Sequence, residues 1–532
     1  MEAIQTYDAI IIGAGSAGCV VARRLVDAGL RVLLLEAGPP DNSPFIHMPA
    51  TFVRVIGTER TWVYESTPQH HANSRTMYVP QGKTLGGGSS VNAMVYIRGQ
   101  RQDYDDWAVQ GCTGWDWQSV LPWFKKAESN QLLSGALHGV DGPLSVSEAR
   151  HRHVLSEAFI KAAQESGIPH NADFNGAEQA GVGFYQTTTR NGERASTAVT
   201  YLNPVRHKPN LHIETGALVQ KIIVEGQRAT AVVWRNARGE LVQANATREV
   251  VLAAGALASP KLLMLSGIGP GQQLQDLGIP VLKDLSGVGK NFQDHLEVSV
   301  YGRCKEPISL AGNDSGLRAL RHGIQWKLTR TGLLTSNVVE SGGFVDTSGA
   351  GRPDIQFHVL PVLVGDVDRE PLAGHGISIN PCFLRPKSRG VVELTSPDAA
   401  VPVRFDGGFL SEQADVETLM RGVQLARKIL RAPSLSRLIS EELSPSSALD
   451  LSTADLESYV RSRAKTVYHP AGTCRMGSSA EASTVVAPDL KVRGIEGLRV
   501  CDASVIPNLV SGNTNAPVVM IAERCADFML AQ

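Results

Sequence analysis

One stretch, YDAIIIGAGSAGCVVARRLVDAGLRVLLLEAG at residues 7–38, constrains the fold more than any other. Ala9 to Ile12 is a short, β-branched apolar run, as a parallel strand buried on both faces requires. Gly13, Gly15 and Gly18 follow in G-x-G-x-x-G spacing. A helical pattern then runs from Ser16 to Asp27 until Gly29 stops it, and a second strand, RVLLLE, ends in Glu36. Gly13 permits the tight turn, Gly15 lets backbone approach a pyrophosphate, and Gly18 lets the helix close on the sheet. The helix N-terminus, with Ser16 in its first turn, offers unpaired N–H groups and a positive dipole end to phosphates. Glu36 is placed to accept hydrogen bonds from a ribose diol. Strand, glycines, helix, strand and acid in this order predict a bound dinucleotide. The pattern leaves FAD and NAD both open.

A second glycine cluster lies in GKTLGGGSSVNAMVYIRG, residues 82–99. Gly86, Gly87, Gly88, Ser89 and Ser90 cannot form the interior of a stable helix or strand. Flanked by apolar residues, they suit a nest of N–H groups around an anion or a flavin ring, with Asn92 at its end. A third segment, 248–270, reads strand, glycine turn, helix, with Ser259-Pro260 as the cap and first helical residue. Near the end, GLRVCDASVIP is a strand reaching Asp502 and Ala503. A turn at 511–515 then leads into an apolar helix with Pro517 near its start. The dinucleotide domain is therefore expected to be assembled from the beginning, middle and end of the chain.

A length of 532 residues allows two to four domains. With 51 basic and 52 acidic residues the net charge is −1, which gives no reason to expect nucleic acid or an anionic membrane surface as a partner. Seven scattered cysteines without a CxxC pair read as small buried hydrophobes of a reducing compartment. No basic leader and no apolar run of ~18 residues is present, so no transmembrane segment is expected and the cytoplasm is the default location. His70-His71 and the HRH cluster at 151–153 read as solvated loop, and no metal is expected.

GAGSAG with Glu36, GKTLGGGSSVNAMVYIRG, GALASPKLLMLSGIG, GVGKNFQDH, YHPAGTCRMG and CDASVIPNLVSGNTNAPVVMIAERCAD occur in one order across residues 7–527. In these motifs the chain resembles the glucose–methanol–choline (GMC) oxidoreductases. FIHMPATF, TWVYESTPQ and PKSRGVVEL are most similar to the bacterial choline-dehydrogenase-like and sorbose-dehydrogenase-like alcohol dehydrogenases. The resemblance implies an α/β (α+β overall) architecture. A doubly wound, Rossmann-like FAD domain would take residues 1–154, 201–295 and 466–532. A substrate domain, a large antiparallel sheet covered by helices on one side, would take 155–200 and 296–465. The cofactor implied is FAD, held without a covalent bond because Val91 stands where covalent members carry histidine.

By the same resemblance the catalytic pair is His469 of the HP motif and Asn513, with Asn515 the alternative if the turn is out of register. Oxidising an alcohol removes a hydroxyl proton and passes a hydride to flavin N5. An imidazole with an ordinary pKa of ~6.5 can take that proton. Proline after His469 restricts its backbone and pre-positions the ring. Asn513 would hold the same oxygen. Asp502 and Ala503 would meet the ribityl or pyrophosphate region, Asn92 the flavin, and Val219 the adenine through its backbone. Gln293, Asp294 and His295 read as buried structural residues, and Cys474 as packing. The expected partners are a small alcohol (primary alcohol, polyol or sugar-like) and an electron acceptor, with quinone or cytochrome preferred to oxygen. An oxygen-reducing alcohol oxidase and a flavin-containing non-redox lyase are the alternatives, and the oligomeric state is left open.

Overall fold

The computed structural model describes residues 4–365, 372–445 and 450–531. The N-terminal motif folds as its pattern dictates. Strand β1 (Gln5–Ile12) and strand β2 (Val32–Glu36) lie parallel, joined by helix α1 (Ser16–Asp27). Gly18 packs so close to the turn that a Cβ there would lie 1.9 Å from the carbonyl oxygen of Gly13. The sheet is completed by β3 (Leu211–Thr215), β4 (Leu218–Glu225), β5 (Arg228–Arg235), β6 (Leu241–Leu252) and β7 (Leu498–Val500). Its order is β3-β2-β1-β6-β5-β4, with β7 also on β6. The long β6 serves two partners on one edge: its first half is antiparallel to β5 and its last three residues are parallel to β7. Strands from the beginning, middle and end of the chain thus lie side by side.

Two further helices bear on the site. Helix α2 (Ala258–Leu265) follows β6, and α3 (Asn515–Leu530) packs on α1. A buried carboxylate joins α3 to its neighbours: Glu523 pairs with Arg24 at 2.7 Å and accepts from the Tyr201 hydroxyl at 2.8 Å. The expected cap at Ser259 is not formed. The helix begins earlier because the Ser259 N–H already bonds to the carbonyl of Gly255, and the Ser259 hydroxyl donates to Asp502.

A second, eight-stranded sheet takes strands from 181–184 and from 296–466. The path Ile439–Ser444, Val300–Cys304, Gly376–Phe383, Ile355–Leu360, Ser341–Val345, Gly181–Phe184 is antiparallel throughout. Two-residue alternation sorts its faces. Ile355, Phe357 and Val359 pack with the helices Val154–Glu165 and Gln413–Leu430 in one apolar cluster. His358 and Leu360 line a cavity instead, between this sheet and the first. The HRH cluster departs from the solvated-loop expectation. The His153 ring nitrogen accepts from Leu155 N–H at the start of the first of these helices, and His151 bonds to buried Glu340 at 2.7 Å. All seven cysteines are buried and free.

Candidate active site

The cavity measures about 960 Å³, at the upper end of small-molecule sites. It runs along the carboxyl ends of the first sheet, where α/β folds bind ligands. Gly13, Gly15 and Ser16 line it after β1, Glu36 at the end of β2, Val219 in β4, and Asp502 and Ala503 after β7. From the second glycine cluster Gly87 and Asn92 reach it, as do Asn513 and Asn515 from the last turn.

These residues fit an elongated dinucleotide. Gly15 caps α1 without any side-chain hydrogen bond, so the first-turn N–H groups stay open to an anion. The two glycine loops touch: a Cβ on Gly87, whose φ is +49°, would lie 2.6 Å from Cα of Gly15. Ser16 donates to Asn515 Oδ1 at 2.7 Å, which brings the N-termini of α1 and α3 together. Glu36 also has a structural task. Its carboxylate accepts from Ala14 N–H at 3.0 Å and Gly38 N–H at 2.8 Å, and burial raises its pKa to about 7 against these bonds. Asp502, likewise raised by burial, accepts from Gly255 N–H, the Ser259 hydroxyl and Ser504 N–H.

Three of the residues expected at the cofactor sit behind the wall. Gly18 closes the helix on the turn. Gly86 makes the loop's own turn at φ +84° and donates its N–H to Ala14. The Ser90 hydroxyl donates to the Leu85 carbonyl at 2.7 Å. Asn92 reaches the cavity, and its side-chain oxygen accepts from Met94 N–H and from Arg194.

His469 projects from a bulge. Residues 465–471 run antiparallel to 293–297: Glu297 pairs with Lys465, Leu296 with Thr466, and Gln293 with Ala471. Between the last two pairs only Asp294 and His295 face Val467, Tyr468, His469 and Pro470. The longer segment must therefore loop out. Tyr468 takes the left-handed conformation, φ +68°, that a non-glycine residue adopts at a cost. The His469 N–H donates to Asp294 Oδ1 at 2.7 Å, which ties down the bulge.

The hydrogen bonds then fix the ring's tautomer. A carbonyl only accepts, so the 3.0 Å contact of His295 Nε2 with the Leu384 oxygen places the proton on Nε2. Burial lowers the His295 pKa to about 3, so its ring is neutral and Nδ1 is a bare acceptor. His469 Nδ1, 3.0 Å away, must donate to it. Burial, reinforced by His295 and His358, holds the His469 pKa well below 6.5. Its Nε2 is thus left with a lone pair. The Asn513 Nδ2 group lies 3.2 Å from it and donates, while Asn513 Oδ1 accepts from Gln356 Nε2 at 3.0 Å. Asn513 is the asparagine beside His469; Asn515 is committed to Ser16. Such a site can take a proton from a hydroxyl and hold the oxygen with an amide N–H.

The sequence reading missed the second wall; Asp294 and His295 are the buried hydrogen-bonding residues it expected, with the His469 segment as their partner. Across the cavity Glu297 accepts from Asn380 Nδ2 at 3.0 Å, lies 3.0 Å from His358 Nδ1, and has Lys465 Nζ at 3.6 Å. Their signal was the alternation of polar with apolar residues in IQFHVL and GISINPCF. Among the described residues no helix is long and apolar enough to cross a membrane and no side-chain group could hold a metal.

Residues 7–297 and 386–522 match the two sequence models of GMC oxidoreductases. The chain is 43% identical to an alcohol dehydrogenase [acceptor] of Pseudomonas putida, covering 98% of this chain and 96% of that one. It is 42% identical to the mitochondrial choline dehydrogenase of Mus musculus, over 98% of this chain and 89% of the other. A mutant formate oxidase of Aspergillus oryzae RIB40, solved for the effect on FAD modification, superposes with a TM-score of 0.91 at 27% identity, over 99% and 98% of the two chains.

Proposed function

The chain belongs to the GMC oxidoreductase family, and on that premise we propose that it oxidises an uncharged alcohol with His469 as base and Asn513 as holder of the substrate oxygen. It is an FAD oxidoreductase acting on CH–OH donors. When bound, the flavin supplies the acceptor for the hydride that leaves the carbon. Everything else falls to the chain. A hydroxyl entering between His469 and Asn513 donates to Nε2 and accepts from the Asn513 amide. As its proton passes to Nε2, the imidazolium formed keeps its Nδ1–H on His295. The product carbonyl remains on the Asn513 N–H. Val91 has no nucleophilic atom, so the flavin is held without a covalent bond.

The observation that carries this reading is the run of donors and acceptors from the Leu384 carbonyl to Asn513. It leaves His469 Nε2 with its lone pair facing the Asn513 amide, not with a proton. The similarity to an alcohol dehydrogenase [acceptor] supports a non-oxygen acceptor such as a quinone or cytochrome. A second reading, a cationic alcohol such as choline, is favoured by Glu297 in the cavity wall and by the choline dehydrogenase relative. Lys465 already faces that carboxylate at 3.6 Å, which supports the uncharged alcohol as the first reading.

Anaerobic titration of the FAD-loaded protein with uncharged primary and secondary alcohols and with choline tests both. Bleaching by an uncharged alcohol is expected, with recolouring faster on a quinone than on air. Bleaching by choline alone selects the second reading, and no bleaching by any alcohol overturns both.

A further inference from the structure

The helix Gly316–Thr329 carries an apolar strip on its outer side. Leu317, Leu320, Ile324 and Leu328 are 85%, 59%, 51% and 77% exposed. At about 100° per residue they fall within an arc of about 80°. On the same projection Arg321 and Lys327 lie about 20° beyond its two edges, with Arg318 next to Arg321. The opposite side is the attached one. Trp326 is buried and donates from Nε1 to the Gly192 carbonyl at 2.8 Å, while Ala319 and Gly323 line the cavity. The helix contains no Asp or Glu. Among the described residues no ion pair involves Arg318, Arg321 or Lys327.

A surface helix ordinarily turns polar residues outward. Here four large aliphatic side chains stand together in water, and a contiguous exposed patch marks a contact surface. The patch borders the cavity mouth. Arg54 donates to the Asp314 carbonyl at 2.6 Å just before the helix, and its neighbour Val53 is 52% exposed. Val53, Arg54 and Asp314 also line the cavity.

We propose that this helix lies in the surface of an anionic phospholipid membrane, its leucine strip among the acyl chains and its cations on the phosphates. An apolar strip edged by Arg and Lys is what such a surface recognises, because the long basic side chains reach up to the headgroups while the strip sinks. A second copy of the same helix would set cation against cation along both edges. The net charge of −1 conceals this local arrangement. The helix lies on the bilayer rather than through it, and it holds the cavity mouth beside the lipid, where an apolar alcohol or a lipid-soluble acceptor concentrates.

The test is co-sedimentation of the FAD-loaded full chain with vesicles of phosphatidylcholine alone and with one-third phosphatidylglycerol, at low and high salt. Binding at least ~10-fold stronger to the anionic vesicles and weakened by salt is expected. The double variant Leu320→Asp/Ile324→Asp should lose it while keeping its flavin spectrum and its rate with a water-soluble alcohol. Arg321→Glu/Lys327→Glu should lose the salt-dependent part. No vesicle binding by the unaltered protein, or equal binding by the Asp variant, overturns the proposal. So does light scattering in which the Asp variant turns a dimer into a monomer with no vesicle binding in either form, since the strip would then be a self-interface.

Discussion

His295 and His469 meet Nδ1 to Nδ1 at 3.0 Å with their rings nearly perpendicular, at 87°. Two neutral imidazoles in that contact need opposite tautomers. The Leu384 carbonyl decides which ring has which.

Replacing His295 by Leu should therefore leave His469 in place but free to take either tautomer. Turnover should fall roughly 10–10²-fold, the scale of a misoriented group. His295→Gln keeps an acceptor oxygen and should lose less. Turnover in His295→Leu equal to that of the parent would refute the role.

Loss of the base itself should be more severe. His469→Ala is expected to retain FAD and to slow anaerobic flavin reduction at least ~10²-fold. Stopped-flow absorbance checks this, and unchanged reduction would remove His469 from the chemistry.

Asn513→Asp places a carboxylate where an amide now lies 3.2 Å from His469 Nε2. A nearby negative charge stabilises the imidazolium and raises its pKa. The variant should lose activity at acidic and neutral pH and recover part of it at higher pH. Asn513→Ala should be slow at every pH without that shift.

Asp294 should leave a signature in stability. Burial raises its carboxyl pKa to about 7, whereas an unfolded Asp titrates near 3.9. Between those values the folded state holds a proton that the unfolded state has released, so this residue makes stability fall as pH rises from about 4 to about 7. Asp294→Asn keeps an acceptor for the His469 N–H and removes the titration. Its Tm relative to the parent should rise from pH 5 to pH 8; a constant difference would contradict the assignment.

Gly87→Ala should cost FAD. Its Cβ would lie 2.6 Å from Cα of Gly15, and both atoms belong to backbone. The loops must separate, at about 1–3 kcal/mol. Flavin content after purification and a lowered Tm read the effect.

What the sequence disclosed divides by range. The β1-α1-β2 unit was legible because its glycines, strands and acid lie within forty residues and each has a local physical task. His469 and Asn513 were legible through motifs, and the structure places them together. Asp294 and His295 were visible as QDH but had no role, since their meaning depends on a segment about 170 residues later and on one carbonyl, Leu384. The Ser259 cap failed for a similar reason: a local preference lost to Asp502, which no window around Ser259 contains. The strip of Leu317, Leu320, Ile324 and Leu328 had a helical period that could have been read, but averaging charge over the chain hid its basic edges.

The placement of β7 beside β6 has a consequence for synthesis. Roughly 490 residues separate the end of β1 from β7, and at ~5–20 residues per second a ribosome needs about 25–100 s to traverse them. During that interval the first glycine turn, Gly13 to Gly18, is already made, but the strand that leads to Asp502 and the helix that abuts α1 do not yet exist. The nascent first sheet must wait with the Val250–Leu252 end of one β6 edge unpaired, a surface that chaperones would have to cover. Flavin capture then serves as a completion signal, because the cavity has all its walls only when residues 498–530 have emerged and docked.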